Sequence, residues 1–260
     1  MTAARSRLRH ALGLVALCST LALSLVGCWG QQTAKSPNEP LGVRTLTSYR
    51  WTTDLRAESS LFDQSQAPEA LRGAPVVLRA HAKGDRVTPD RERVVTTVSP
   101  VATEPRETIR IGDKRWNRLG AAPWRQGGEA FPAARAYLGG TVDLSARAIL
   151  EPAESSMAAG LRQQLGNMPY REETITTGPA RRYTLRPDQV AMVIADPQIN
   201  PFAVLRSVPV IRIDVWIDQS RNVLVALRVS ADTATQAEAF LLDMHVTEMD
   251  PPGLTIDAPR

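Results

Sequence analysis

The chain is poor in the side chains that most often carry catalysis. It has two cysteines, Cys18 and Cys28, and three histidines. His81 and His245 stand isolated among strand-like residues. Each reads as a surface or core side chain rather than a base or a ligand. No Gly-x-Ser-x-Gly elbow, phosphate-binding loop or His-rich metal spacing is present. Ser155-Ser156 has no base near it in sequence, and Glu172-Glu173 and Glu151…Glu154 read as solvated acidic faces. These absences argue against an enzyme and imply no cofactor and no metal. There is no internal repeat, no low-complexity tract and no second hydrophobic span.

The first residues hold the strongest signal. Arg5, Arg7 and Arg9 precede an uncharged run, Ala11 to Gly27, that ends in Leu25-Val26-Gly27-Cys28. A charged start, an apolar core and small residues at the cut site read as an export signal over residues 1–27. The run is short for a membrane span, which needs ~20 apolar residues. Leu-Val-Gly-Cys resembles the lipobox of bacterial lipoproteins. That resemblance implies a diacylglyceryl group on the Cys28 sulfur, cleavage just before it, and anchoring to the outer face of a membrane. An ordinary cleaved signal with a chance cysteine is the competing reading. With Cys18 discarded and Cys28 lipidated, no thiol remains for a disulfide or a Cys-based metal site. The exported domain must then be stable through its core alone.

Removal of that segment also changes the charge. The precursor carries 31 basic and 27 acidic residues; without Arg5, Arg7 and Arg9, 28 basic residues face the same 27 acids. A nearly neutral surface gives no case for nucleic acid or for strong attraction to anionic lipid. Residues 46–260 are of a size for one domain.

Residues 28–45 comprise the lipidated cysteine and a stretch rich in Gln, Ser, Pro and Asn. It reads as a flexible tether, or as a loop packed on the domain. In Leu46–Ala57, Tyr49, Trp51, Thr53 and Leu55 alternate with Arg50, Thr52, Asp54 and Arg56. Period two with one apolar face predicts a half-buried strand. Strands at Pro75–Ala82 and Arg91–Val98 are expected to be joined through turn residues Lys83-Gly84-Asp85-Arg86 and Thr88-Pro89-Asp90-Arg91. Glu107–Ile111 and Lys114–Leu119 form a hairpin around Gly112-Asp113. Helices are expected at Glu129–Leu138, Asp143–Leu150 and Glu154–Leu165. In the last, Met157, Leu161 and Leu165 share a face. A hairpin at Glu172–Leu185 follows, then helical pieces at Pro187–Ala195 and Pro201–Ser207. In Val210–Asp218, Ile211, Ile213, Val215 and Ile217 alternate with Arg212, Asp214, Trp216 and Asp218. Val223, Val225, Leu227 and Val229 return, and Ala239–Met249 is the last strand.

Tight turns between consecutive strands make the sheet antiparallel. Segregated helices then give an α+β fold: a curled antiparallel β-sheet, or half-open barrel, with a few helices covering its concave face. So thin a cover leaves either a filled core or a cavity. The candidate cavity residues are Tyr49, Trp51, Leu55, Met157, Leu161, Leu165, Ile211, Ile213, Val215, Ile217, Val225 and Leu227. Trp216 is expected on the outer, wetter face.

Several segments, in order, resemble a known family: the export signal with its lipobox, the strand around Trp51, and AKGDRVTPDRERVV. They continue with IRIGDKRWNRL…PWRQ, ETITTGPARRYTL, IRIDVWIDQSRNVLVALRV and the ending TIDAP. Together they are similar to the LppX/LprG type of bacterial lipoprotein, a group similar in turn to the LolA/LolB lipoprotein carriers. The resemblance implies a half-open barrel enclosing an apolar cavity for acyl chains, used to move or present lipids or lipoproteins. It carries over no catalytic residue, and Cys28 alone as a site. The partners it implies are a lipid or acylated ligand, and a membrane through the Cys28 lipid. A second expectation, from another class, is a protein-binding sensor or regulator with a cell-envelope protein as its partner.

Overall fold

The computed structural model describes residues 39–58, 61, 76–100, 102, 104–127, 143–154, 156–195, 210–233 and 237–259. The expected signal segment, Cys28, and the helical expectations at 129–138 and 201–207 lie outside them.

Alternation of apolar and polar residues, clearest in Ser48–Glu58 and Val210–Asp218, favours extended backbone with one covered face. Among the described residues eleven strands form: β1 (Ser48–Glu58), β2 (Val77–Val87), β3 (Arg91–Ser99), β4 (Arg106–Ile111), β5 (Lys114–Leu119), β6 (Arg125–Gln126), β7 (Arg171–Ile175), β8 (Gly178–Thr184), β9 (Val210–Asp218), β10 (Leu224–Asp232) and β11 (Phe240–Met249). They join one sheet in the order β6-β5-β4-β3-β2-β1-β11-β10-β9-β8-β7. Neighbours run antiparallel throughout. The first and last strands pair at the centre of the sheet, Thr53 opposite Met244 and Leu55 opposite Leu242. β6 and β7 are the two edges and do not pair with each other, so the curled sheet stays a half-open barrel.

Among the described residues three α-helices accompany it: α1 (Ala146–Ile149), α2 (Ser156–Leu165) and α3 (Pro187–Ala195). α3 starts on Pro187, whose missing N–H costs nothing in the first turn. Its Gln189 reaches back to accept a hydrogen bond from the Arg186 N–H at 2.9 Å. The same side chain donates to Gln164 of α2 at 2.7 Å, linking the two helices. Leu165, Val190 and Val193 enter the same core as the sheet's covered face. Among the described residues no helix is long and apolar enough to cross a membrane.

Three expectations need correction. Gly84 is not a turn residue: β2 runs through it to Val87, and Gly84 lies opposite Trp51. A Cβ at this position would come within 2.6 Å of the Trp51 ring, so glycine is required where the indole crosses the strand. The expected tether is shorter than 28–45. Leu41 bridges to Val223, and Val43 is fully buried, so the packed-loop reading holds from there onward. Trp216 does lie on the outer face, but it is only 3% exposed and therefore not wet.

Candidate functional site

Residues that sit opposite each other on paired strands share a face. The register therefore assigns the inner, covered face strand by strand. From β1 it takes Tyr49, Trp51, Thr53, Leu55 and Ala57. From β11 it takes Phe240, Leu242, Met244 and Val246, and from β10 Leu227, Val229 and Ala231. From β9 it takes Ile211, Ile213, Val215 and Ile217. Apart from Tyr49 and Thr53, these positions make a continuous apolar floor, mostly aliphatic. Ile213 is only 1% exposed, and Leu55, Val215 and Ile217 are buried too, while Ile211 and Leu227 are partly open.

The structure thus brings together Trp51, Leu55, Ile211, Ile213, Val215, Ile217 and Leu227 of the expected set. Val225 is buried, next to a bulge in the β9–β10 pairing. Leu165 and, less completely, Leu161 pack into the same core from α2. The Met157 side chain lies outside the described residues. Trp51 is buried with an indole N–H that has no hydrogen-bond partner among the described residues.

Tyr49 belongs to a different environment. Its hydroxyl donates to Glu151 Oε1 at 3.3 Å. Arg86 of β2 grips the same carboxylate at two points, Nε to Oε1 at 2.6 Å and Nη2 to Oε2 at 3.2 Å. Its remaining donors meet the carbonyls of Arg91 at 2.9 Å and Pro89 at 2.8 Å. Arg86 is 1% exposed and Glu151 8%, so this is a buried, bidentate ion pair. Desolvation opposes the Arg86 charge, but the Glu151 hydrogen bond and charge outweigh it and raise its pKa. Burial, and then the Glu151 and Glu92 carboxylates, push the Tyr49 hydroxyl far above its ordinary value.

Glu92 of β3 lies beside this pair, 2% exposed. Burial first, then the charge of Asp143, push its carboxyl from 4.5 up to about 7, against the pull of Arg86 and Arg110. The acid Glu151, read from sequence as part of a solvated face, is a buried ion-pair partner instead. Sequence reasoning missed this cluster. The available signal was register: Arg86 and Glu92 fall at inner positions in step with Ala80, Ala82, Val94 and Thr96, where a charge is out of place.

The outer face of β7–β11 carries a paired network. The Trp216 indole donates to Glu173 at 2.7 Å, and the Arg182 and Arg228 guanidiniums lie over its ring at 5.2 and 5.8 Å. Arg182 bonds both Glu173 and Asp214 at 3.0 Å, and Arg228 and His245 both pair with Asp243. Burial raises the pKa of Asp243, but its hydrogen bonds from His245 and Arg228 outweigh this and hold it low. Glu173, also read as solvated from sequence, is part of this network. His81 is exposed and bonds Asp54 at 2.8 Å. Among the described residues no group of three or more His, Cys, Asp or Glu is placed to hold a metal ion.

No protein-family model matches the chain, and no curated protein does. A solved structure of a β-barrel-like protein of domain of unknown function DUF1849 from Brucella abortus is similar to it at TM-score 0.23 and 12% identity, over 79% of this chain and 98% of that one. A likeness of that strength adds nothing to what the strand pairing already shows. The architecture stands on the pairing alone: an eleven-stranded antiparallel sheet, open between β6 and β7, with a few helices on it.

Proposed function

We propose that this chain is a lipid-anchored lipoprotein of the extracytoplasmic face that holds the acyl chain of a lipid or lipoprotein against its inner sheet face, for transport or presentation. One observation carries the reading: the largely aliphatic floor on β11, β10 and β9, continued by Leu55 and Ala57 of β1, inside a sheet that does not close. Each CH₂ taken from water onto such a surface contributes ~0.8 kcal/mol, so an acyl chain needs no polar recognition motif. The unpartnered Trp51 N–H offers a donor to an ester carbonyl. The lipobox-like Leu25-Val26-Gly27-Cys28 supports the anchor, and the ordered segments that resemble LppX/LprG and the Lol carriers agree with the use.

Mass spectrometry of full-length protein extracted in mild detergent tests the proposal. The expected result is co-purifying lipid at near one per chain, lost in Val215→Trp while circular dichroism stays unchanged. Lipid-free protein, or lipid retained by that variant, contradicts it.

One observation favours a second reading. Ile213, Val215, Ile217 and Leu242 are already covered in this state. A protein-binding envelope regulator does not need them bare. A stable protein partner in pull-down, bound equally well by Val215→Trp, would select that reading.

A further inference from the structure

Residues 143–154 lie across the inner face and are fastened there at polar and apolar points together. Thr53 Oγ1 donates to the Leu144 carbonyl at 3.1 Å. The Arg147 N–H donates to Glu92 Oε1 at 3.4 Å. Glu151 takes the bidentate Arg86 grip and the Tyr49 hydroxyl. Arg110 of β4 reaches Asp143 at 3.7 Å. Leu144, Ala146, Ile149 and Leu150 of the segment are themselves buried in the core. It therefore roofs the inner face at Tyr49 and Thr53 of β1, at the border of the floor that the proposed function requires to be reached.

We propose that residues 143–154 are a strap whose closure is governed by the charge of Glu92: neutral Glu92 lets the strap lie down, and ionised Glu92 loosens it.

The reason is the company Glu92 keeps. The strap presents two carboxylates to it, Asp143 and Glu151. The sheet presents Arg86, Arg110 and the Tyr49 hydroxyl. Arg86 is committed to Glu151, and Arg110 to Asp143. An ionised Glu92 thus adds a second buried carboxylate, beside Glu151 and the half-buried Asp143, to a site whose two facing cations are already matched. Such a charge is costly unless it is paired. Lifting the strap returns Glu92 to water and removes both like charges at once.

The sign follows from linkage. Burial holds the closed-state carboxyl at about 7, against an ordinary 4.5. The closed strap binds the extra proton between those values. Its closure is therefore strongest below 4.5, weakens about tenfold per pH unit through the window, and levels off above about 7. Neutral surroundings loosen the strap and mildly acidic ones tighten it. This rests on the acyl-chain reading only for its purpose; the motion itself needs no ligand.

Hydrogen exchange on the full chain without added lipid tests it, at pH 5.5 and 7.5 and corrected for the intrinsic rate. The amide protection of peptides covering 143–154 is expected to fall more than tenfold across that range. Peptides from β10 and β11 should not change. In Glu92→Gln the strap is expected to be equally protected at both pH values. Protection independent of pH in the natural chain overturns the proposal. So does an equal loss in Glu92→Gln, or a parallel loss in β10 and β11, which reports global unfolding. Because no lipid is present, failure here leaves the acyl-chain reading intact. Absence of co-purified lipid, in turn, leaves the strap intact.

Discussion

The two halves of one sheet treat their faces in opposite ways. Across β9, β10 and β11 the inner set is aliphatic and the outer face carries arginine–carboxylate pairs. Across β4 and β5 the inner set is Arg106, Thr108 and Arg110, facing Leu119, Asn117 and Arg115. The outer positions there hold the cross-strand pair Ile109 and Trp116. The inversion begins at β2 and β3, where Arg86 and Glu92 enter the inner row. A continuous hydrogen-bonded ladder therefore does not impose one polarity on its face. What sits across from the face does. Beside β9 that is more aliphatic side chain, Val190 and Val193 of α3; over Arg86 and Arg110 it is the carboxylates of Glu151 and Asp143.

Substitutions that break this contrast should differ in size. Arg86→Leu has the largest expected effect. It leaves Glu151 buried and unpaired, which costs about 3–5 kcal/mol. Urea unfolding should show this, and Arg86→Leu with Glu151→Leu should recover most of it. A double variant as unstable as the single one would mean that the pair is not the unit. Gly84→Ala comes next. The added methyl meets the Trp51 ring and the Arg93 carbonyl at 2.6 and 2.5 Å. Overpacking of this kind costs about 1–3 kcal/mol. A thermal midpoint unchanged from the natural chain would show that the indole moves aside freely. Trp216→Phe, on the outer face of the aliphatic half, keeps the ring over its neighbours but loses the hydrogen bond to Glu173. About 1 kcal/mol is expected. Arg93→Ala should be smallest. Its half-exposed guanidinium shares the buried Glu107 carboxylate with Arg118, which keeps that charge paired, so about 0–1 kcal/mol is expected.

Much of the fold was legible because period-two alternation survives wherever one face is covered by apolar groups. Val210–Asp218 and Pro187–Ala195 run in the structure between the bounds read from sequence. The aliphatic floor was legible for the same reason, since Ile211, Ile213, Val215 and Ile217 can face only one way together. Gly84 was misread because a glycine next to an aspartate looks like a turn. Only the partner strand reveals that an indole lies across it. The Arg86–Glu151 pair was hidden by distance along the chain: two charges that far apart look solvated until the sheet curls one under the other. Trp216 was placed on its correct face but given the wrong surroundings. Period two tells which side a residue takes, not that two arginines will cover it.

The most direct test places a photoreactive group near the end of a fatty acyl chain and maps where it attaches to the full-length protein. The account predicts adducts on Ile213, Val215, Leu227 and Leu242, with none on Trp216 or Arg228 across the same strands. Adducts confined to the outer face, or none at any lipid concentration that saturates a control carrier, would contradict it.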